Sequence, residues 1–187
     1  MKIALLRHGK PDIQTNKRLS ASSFSQWVQH YNKSGIQPAS YPDSDIVKYL
    51  KKYNAVICSS LPRSIDSAKA LGADNIILFS AQFNEAGLPT IKGYFIKLKP
   101  ALWSIIVRIL WLFGYTKNSE SYKENKQRAQ HAAELLIQLA EQHQNILLVG
   151  HGFFNRLLSK ELLAAGWHAD KKPGLQYWSY NEYIYNP

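Results

Sequence analysis

The 187-residue chain contains only one cysteine and one methionine, so it has few sulfur groups for cross-links or metal sites. A single cysteine excludes an internal disulfide and a cage of thiolate metal ligands. Cys58 ends an apolar run, which predicts a buried and unreactive thiol. Charged residues make up only 19% of the chain and hydrophobic residues 45%. This balance predicts a globular fold, and the length predicts a single domain over residues 1–187.

Long apolar runs are also missing. The N-terminal segment reaches Arg7 after four apolar residues, too few for a signal-peptide core or a membrane anchor, so we expect a cytoplasmic protein without stable membrane insertion. Residues 101–115 form the most apolar segment and are too few to span a bilayer. We predict a helix buried in its own domain here, with a homodimer surface or a substrate-pocket wall as alternatives. A membrane-surface helix would need a strongly charged opposite face, which the segment lacks.

Acidic residues are scarce relative to basic ones, and the formal net charge is +10. This excess favours an anionic ligand by long-range attraction. The basic residues are scattered along the chain and no ladder of aromatic residues accompanies them, which argues against a nucleic-acid partner. No glycine-rich Walker-type loop is present to hold a nucleoside triphosphate.

Four short apolar runs predict strands of a buried parallel sheet, because each run is continuous rather than alternating. They cover residues 3–6, 55–58, 76–79 and 146–149. Helical patterns lie between them, and the longest begins at Ser121, where Glu124 completes the spacing of a capping box. The alternation predicts an α/β fold, a three-layer sandwich with a mostly parallel central sheet.

Polar side chains follow these predicted strands at the points where the strands end. Arg7, His8 and Gly9 follow the first strand, Arg63 the second and His151 the fourth. The carboxyl ends of parallel strands meet at one edge of a sheet, where ligands bind. Arginine suits a phosphoryl group because its planar guanidinium donates parallel hydrogen bonds to two oxygens. Glycines beside the histidines would let backbone N–H groups approach the same anion. These residues therefore predict a phosphate-binding site.

Zinc is the alternative ligand for this edge, since two histidines and Glu85 could coordinate a metal. Two arginines beside the ligands would oppose a cation, and neither a His-x-Glu spacing nor a paired-histidine helix spacing occurs. We therefore predict no metal and no cofactor.

Three motifs, in this order along the chain, resemble the histidine phosphatase superfamily, whose fold is phosphoglycerate-mutase-like. The motifs are Arg7-His8-Gly9, Ser59-x-Leu61-x-Arg63-Ser64 and Gly150-His151-Gly152. The resemblance implies that His8 attacks phosphorus and forms a phosphohistidine. It also implies that Arg7, Arg63 and His151 bind the phosphoryl oxygens.

The resemblance further implies that Glu85 protonates the leaving oxygen, with Asp74 and Glu120 as alternative carboxylates. The first loop departs from the family pattern, because Lys10 and Pro11 replace the usual acid or amide and hydroxyl residues. The family's phosphate-contacting asparagine corresponds to Gln14 or to Asn16, and both alternatives stay open. Phe153 follows the third motif where mutases tend to have a polar residue, which argues against a mutase pocket.

These features together predict a metal-independent phosphatase that hydrolyses a small phosphorylated metabolite. The alternatives are phosphotransfer of the phosphoglycerate-mutase type and a non-catalytic module that binds phosphate or phosphoproteins. The aromatic content suggests a partly apolar pocket wall, and Trp27, Tyr31 and Trp103 are the candidates for it.

Overall fold

The computed structural model describes residues 1–186, which form seven strands and six helices. The strands are β1 (Lys2–Arg7), β2 (Leu19–Ser20), β3 (Ala55–Ser59), β4 (Ile76–Ser80), β5 (Lys97–Leu98), β6 (Asn145–Gly150) and β7 (Tyr180–Ile184). The helices are α1 (Ala21–Lys33), α2 (Ser44–Leu50), α3 (Pro62–Ala70), α4 (Pro100–Leu112), α5 (Tyr122–His143) and α6 (Gly152–Ala164). A short 3₁₀ turn, Ala81–Phe83, follows β4.

Five strands form the central sheet in the order β4-β3-β6-β1-β7. All neighbouring strands are parallel except β7, which runs antiparallel to β1. The mostly parallel sheet and its four predicted strands are confirmed. β7 was not predicted because its buried and less buried residues alternate, whereas only continuous apolar runs indicated strands. The register pairs Arg7 with Gly150, so β1 and β6 end side by side.

Helices cover both faces of this sheet, which confirms the three-layer sandwich. On one face, α5 and α6 pack against Ile3, Ile57 and Leu148. On the other face, α2 and α3 pack against Ala4, Val56 and Val149. The alternating burial follows from the pleat, because successive side chains of a strand point to opposite faces.

The edge strand β4 is an exception to the predicted burial. Its side chains alternate between partly buried and exposed, and Ile77 and Phe79 face solvent. The prediction that this run is covered on both faces was wrong, because the order of strands places it at the sheet edge.

Local capping signals were predicted correctly. Ser121 and Glu124 form a complete capping box at the start of α5. Gly72 and Gly166 follow α3 and α6 with φ angles of +68° and +86°, a region that favours glycine.

A separate hydrophobic core joins α1 and α4 to the two-stranded ribbon of β2 and β5. It contains Phe24, Trp103 and Val107. The prediction that residues 101–115 are buried all round was wrong: one face of α4 packs into this core, whereas Ile105 and Ile109 are exposed. Within residues 1–186, no helix is both long and apolar enough to cross a membrane.

Candidate active site

His8 and His151 lie next to each other at the carboxyl ends of β1 and β6. Their ring centroids are 5.0 Å apart, and both side chains are buried. Arg63, in the first turn of α3, joins them: its Nε lies 3.3 Å from Nε2 of His8. The paired ends of β1 and β6 bring the two histidines together, and β3, which pairs with β6, leads into the helix that places Arg63 beside them.

The hydrogen bonds of His8 define its tautomer. Nδ1 lies 2.7 Å from the carbonyl oxygen of Gly9, and a carbonyl only accepts, so Nδ1 carries the proton. Nε2 is then unprotonated and accepts from Nε of Arg63. The lone pair of Nε2 is therefore the nucleophilic position of this ring.

The tautomer of His151 follows from Ser59 at the end of β3. Oγ of Ser59 lies 2.7 Å from Nε2 of His151 and accepts from the N–H of Leu61 at 3.3 Å. Donation of the hydroxyl proton to Nε2 satisfies both groups and leaves the ring proton on Nδ1. Nδ1 is buried without a protein partner among the described residues. It is therefore a free donor for a phosphoryl oxygen.

Both histidines are held neutral. Burial lowers the pKa of His8 well below its ordinary value, and the positive charges of Arg63 and Arg7 lower it further, against the opposing hydrogen bond to Gly9. Burial likewise lowers the pKa of His151, followed by the charge of Arg63. A neutral imidazole is the reactive form of a histidine nucleophile.

Arg7 and Arg63 each stack on a tyrosine that the sequence did not single out as an arginine partner. Cζ of Arg7 lies 4.4 Å from the ring centroid of Tyr177, and Cζ of Arg63 lies 4.5 Å from that of Tyr31. Stacking of this kind fixes the plane of a guanidinium. Nη1 of Arg7 donates to the carbonyl of Leu175, whereas its Nε is buried without a partner among residues 1–186. The plane of each arginine is thus set before a phosphate arrives.

Gly9 and Gly152, which directly follow the two histidines, each lie close to other side chains around the site. The N–H of Gly9 donates to Oγ of Ser67 at 2.8 Å, so the phosphate-binding role of Gly9 stays a prediction. A Cβ at Gly9 would collide with the ring of Trp178. A Cβ at Gly152 would lie 3.2 Å from Nε of Arg7. Both glycines therefore allow close packing around the site.

Glu85 meets the start of α6, directly after His151. Its Oε1 accepts from the N–H groups of Phe154 at 2.8 Å and Ala86 at 3.0 Å, and its Oε2 accepts from Phe153 at 3.1 Å. The N–H groups of a first helical turn lack partners within the helix and bind anions well. Glu85 is thereby held against the N-terminus of α6, the helix that follows His151.

Two arginines that the sequence analysis missed hold the loop around Glu85 on both sides. Arg108 donates to the carbonyls of Ala86 at 2.7 Å and Gly87 at 3.2 Å. Arg128 donates to the carbonyls of Gln82 at 2.8 Å and Asn84 at 2.9 Å. The one available signal was Arg108, a lone charge inside the apolar segment.

Neither alternative carboxylate lines the cavity that contains Arg7 and Arg63. Asp74 lines a separate cavity beside Leu50 and Lys51. Glu120 pairs with Arg128 at 2.9 Å. Glu85 is the carboxylate that lines the same cavity as Arg7 and Arg63.

That cavity has a volume of about 440 Å³. Its walls come from α1, α4, the Glu85 loop and the C-terminal segment, and include Arg7, Trp27, Tyr31, Arg63, Ala101, Ser104, Arg108 and Tyr177. Trp27 and Tyr31 were correctly expected in the wall. Trp103 was wrongly expected in the wall, because its ring packs in the core between α1 and α4.

A second, larger cavity of about 970 Å³ shares Glu85, Asn84 and Leu88 with the first and is lined mostly by polar residues, among them Gln29 and His131. In the first loop, Thr15 lines the smaller cavity, whereas Gln14 and Asn16 are exposed and do not line either cavity. Over residues 1–186, no group of three His, Cys, Asp or Glu side chains has the arrangement of metal ligands. Cys58 is buried, and burial raises the pKa of its thiol to about 12.

Comparisons with known proteins agree with this geometry. The model of the histidine phosphatase superfamily, branch 1, matches residues 3–187. No curated protein sequence matches the chain. Among solved structures, the product of open reading frame Rv3214 of Mycobacterium tuberculosis is 17% identical, with a TM-score of 0.62 over 97% of this chain and 89% of that one.

Two further solved structures share the fold. A phosphoserine phosphatase from Entamoeba histolytica, in complex with 3-phosphoglyceric acid, is 16% identical, with a TM-score of 0.63 over 98% of this chain and 90% of that one. A mycobacterial glucosyl-3-phosphoglycerate phosphatase is 17% identical, with a TM-score of 0.57 over 87% of this chain and 79% of that one.

Proposed function

Because the chain belongs to the histidine phosphatase superfamily, we propose that it is a phosphatase that hydrolyses a small phosphomonoester through a phosphohistidine at Nε2 of His8. The observation that carries this proposal is the pairing of a neutral His8, protonated on Nδ1, with the guanidinium of Arg63 3.3 Å from Nε2. This arrangement places the Nε2 lone pair beside a fixed positive charge, and Nε–H of Arg63, which it accepts here, turns to a phosphoryl oxygen when Nε2 attacks phosphorus.

In the first step, Nε2 of His8 attacks phosphorus in line with the ester oxygen. The N–P bond forms as the P–O bond breaks, and charge on the equatorial oxygens is met by Arg7, Arg63 and Nδ1–H of His151. The departing oxygen takes a proton from Glu85. In the second step, water attacks phosphorus as Glu85 accepts its proton, the N–P bond breaks to restore His8, and inorganic phosphate leaves.

The proton on Glu85 has a structural consequence. Both carboxylate oxygens now accept backbone N–H groups, and an oxygen that carries a proton turns from acceptor to donor. Glu85 therefore acts as an acid only when one oxygen gives up an N–H of α6 or Ala86 and turns towards the ester. A phosphomonoester that binds as its monoanion supplies the proton that Glu85 passes to the ester oxygen.

The linings of the two cavities favour a polar leaving group over a purely apolar one. The smaller cavity holds Arg7 and Arg63, and the larger cavity, lined mostly by polar residues, shares Glu85 with it. A substrate whose ester oxygen lies at Glu85 would extend its hydroxyl or carboxylate groups into the larger space. Phosphoserine and glucosyl-3-phosphoglycerate, named for two neighbours of the same fold, belong to this polar class.

A screen of phosphorylated serine, glycerate and sugar esters, reading released phosphate in excess EDTA, tests the proposal. Turnover should persist in EDTA, because the phosphoryl charge is met by arginines and not by a metal. Rapid quenching with labelled substrate should leave label on wild-type protein and none on His8→Asn. The matched control is His30→Asn, an exposed histidine of α1. Turnover by His8→Asn, or activity that only added metal restores, contradicts the mechanism.

A further inference from the structure

Helix α4 presents three different faces, each with a helical spacing. Trp103, Val107 and Trp111 are buried against the chain. Ala101, Ser104 and Arg108 line the smaller cavity, the one that contains Arg7 and Arg63. The remaining face carries exposed apolar side chains and is continued by Phe113 just past the helix. We call this the α4 surface: Leu102, Ile105, Ile109, Leu112 and Phe113.

The α4 surface is unusual for a protein face exposed to water. Phe113 is 88% exposed, and the segment before the helix adds Phe95, which is 100% exposed. Single exposed apolar side chains are ordinary, whereas a continuous group of large ones marks a binding surface. Leu102, Ile105, Ile109 and Leu112 are three or four residues apart, so they form one stripe along the helix.

The charged residues of the segment that contains this surface all have one sign. Residues 86–119 contain no Asp or Glu, and their charged residues are Lys92, Lys97, Lys99, Arg108 and Lys117. Arg108 points inward to the Glu85 loop, and the four lysines are exposed. Lys97 and Lys99 precede α4 and Lys117 follows it, so cations lie at both ends of the apolar stripe.

We propose that the α4 surface docks on an anionic phospholipid bilayer. Exposed Leu, Ile and Phe side chains enter the boundary between headgroups and acyl chains, while lysines contact the phosphate headgroups. The sequence disfavours a membrane-surface role only if the helix must carry its own charged face. In the structure the other two faces of α4 pack on the core and line the cavity, and the flanking lysines supply the charge instead.

A second copy of the chain fits this surface less well. A symmetric dimer places the same patch on both sides of its interface. The four exposed lysines of residues 86–119 would then lie near the same four lysines of the other copy, and the segment supplies no carboxylate to pair with them. Like charges in an interface oppose association. An anionic bilayer complements both the apolar stripe and the lysines.

Flotation of the full-length protein with vesicles tests this inference independently of any phosphatase activity. The protein should float with mixed phosphatidylglycerol and phosphatidylcholine vesicles but not with phosphatidylcholine alone, and salt should weaken binding. Joint substitution of Ile109→Ser and Phe113→Ser should reduce the bound fraction at least about tenfold. Lys97→Gln and Lys99→Gln should each reduce affinity about fivefold. Hydrolysis of a soluble phosphomonoester should not change in these variants, which do not line the cavity.

Matched controls separate this surface from general hydrophobicity and charge. Leu163→Ser on α6 removes an apolar side chain that is 48% exposed, the same fraction as Ile109. Lys51→Gln with Lys52→Gln removes two exposed charges just after α2, a helix that packs on the sheet. These variants should bind vesicles as the wild type does. Wild-type protein that stays unbound at low salt, or equal losses in the controls, overturns the proposal. A dimer in solution that Phe113→Ser dissociates would assign the surface to a second copy and overturn it as well.

Discussion

Oγ of Ser59 lies 2.7 Å from Nε2 of His151, which connects the ends of two neighbouring strands. The bond depends on the parallel pairing of β3 with β6, since 92 residues separate the two side chains in sequence. Its effect is chemical rather than mechanical. A hydroxyl that donates to Nε2 keeps the proton of His151 on Nδ1, the nitrogen proposed to meet the phosphoryl group.

Ser59→Ala should therefore lower kcat/KM by roughly tenfold to a hundredfold, the range expected when a buried histidine loses the hydrogen bond that selects its tautomer. Steady-state kinetics on the best phosphomonoester measures this. The control is Ser60→Ala, whose hydroxyl hydrogen-bonds Asn84 and not a histidine. Equal effects of the two substitutions would show that the tautomer of His151 does not depend on Ser59.

Glu85→Gln should damage hydrolysis of an alkyl phosphate by about 10²- to 10⁴-fold, the usual contribution of a general acid. Formation of the phosphoenzyme from a nitrophenyl phosphate should suffer much less, because nitrophenolate leaves without a proton. Single-turnover rates compare the two substrates in the first step alone. Glu134→Gln, an exposed carboxylate of α5 that lines neither cavity, is the control. Equal losses on both substrates would assign Glu85 to the support of α6 instead.

Arg108→Gln should lower kcat about tenfold to a hundredfold while inhibition by inorganic phosphate stays unchanged. Arg108 holds the carbonyls of Ala86 and Gly87, so its loss displaces the neighbouring Glu85, and small displacements of a catalytic group reduce rates strongly. Phosphate binding depends instead on Arg7 and Arg63. Inhibition constants and kcat are measured side by side, with the exposed Arg156→Gln as the control for charge. Weaker phosphate inhibition in Arg108→Gln would mean that Arg108 binds the phosphoryl group directly.

The free energy of unfolding should fall as the pH drops below about 6.5, the ordinary pKa of histidine. His8 and His151 stay neutral in the folded protein because burial, and then the charge of Arg63, lowers each pKa. The unfolded chain takes up protons at both residues, so each contributes a loss of up to about 1.4 kcal/mol per pH unit between its unfolded and folded pKa. Above about pH 7 the two contributions are constant.

Urea unfolding of the wild type and of the double variant His8→Asn, His151→Asn, at about pH 7.5 and about pH 5.5, measures this difference. The double variant should lose less stability on acidification than the wild type. His30→Asn with His168→Asn removes two exposed histidines and should leave the pH dependence unchanged. A wild type and a double variant with the same pH dependence would contradict neutral, buried histidines in the native state.

The sequence by itself determined which segments become the central strands and which residues stand at their ends. Continuous apolar runs bury in a parallel sheet, capping boxes start helices, and strand ends in such a sheet converge, so His8, Arg63 and His151 were predictable neighbours. These signals are local, or depend on one general property of parallel sheets. The antiparallel edge strand β7 was not predicted, because its apolar residues alternate with polar ones and give a weaker hydrophobic signal.

The tertiary structure alone decided the protonated nitrogen of each histidine, the two arginines around Glu85 and the orientation of α4. Each depends on partners from distant parts of the chain: Ser59 for His151, and Arg108 and Arg128 for the Glu85 loop. Hydrophobicity shows that residues 101–115 form an apolar helix. Which of its faces packs inward depends on where α1 and the cavity lie, and that geometry exists only in the folded chain.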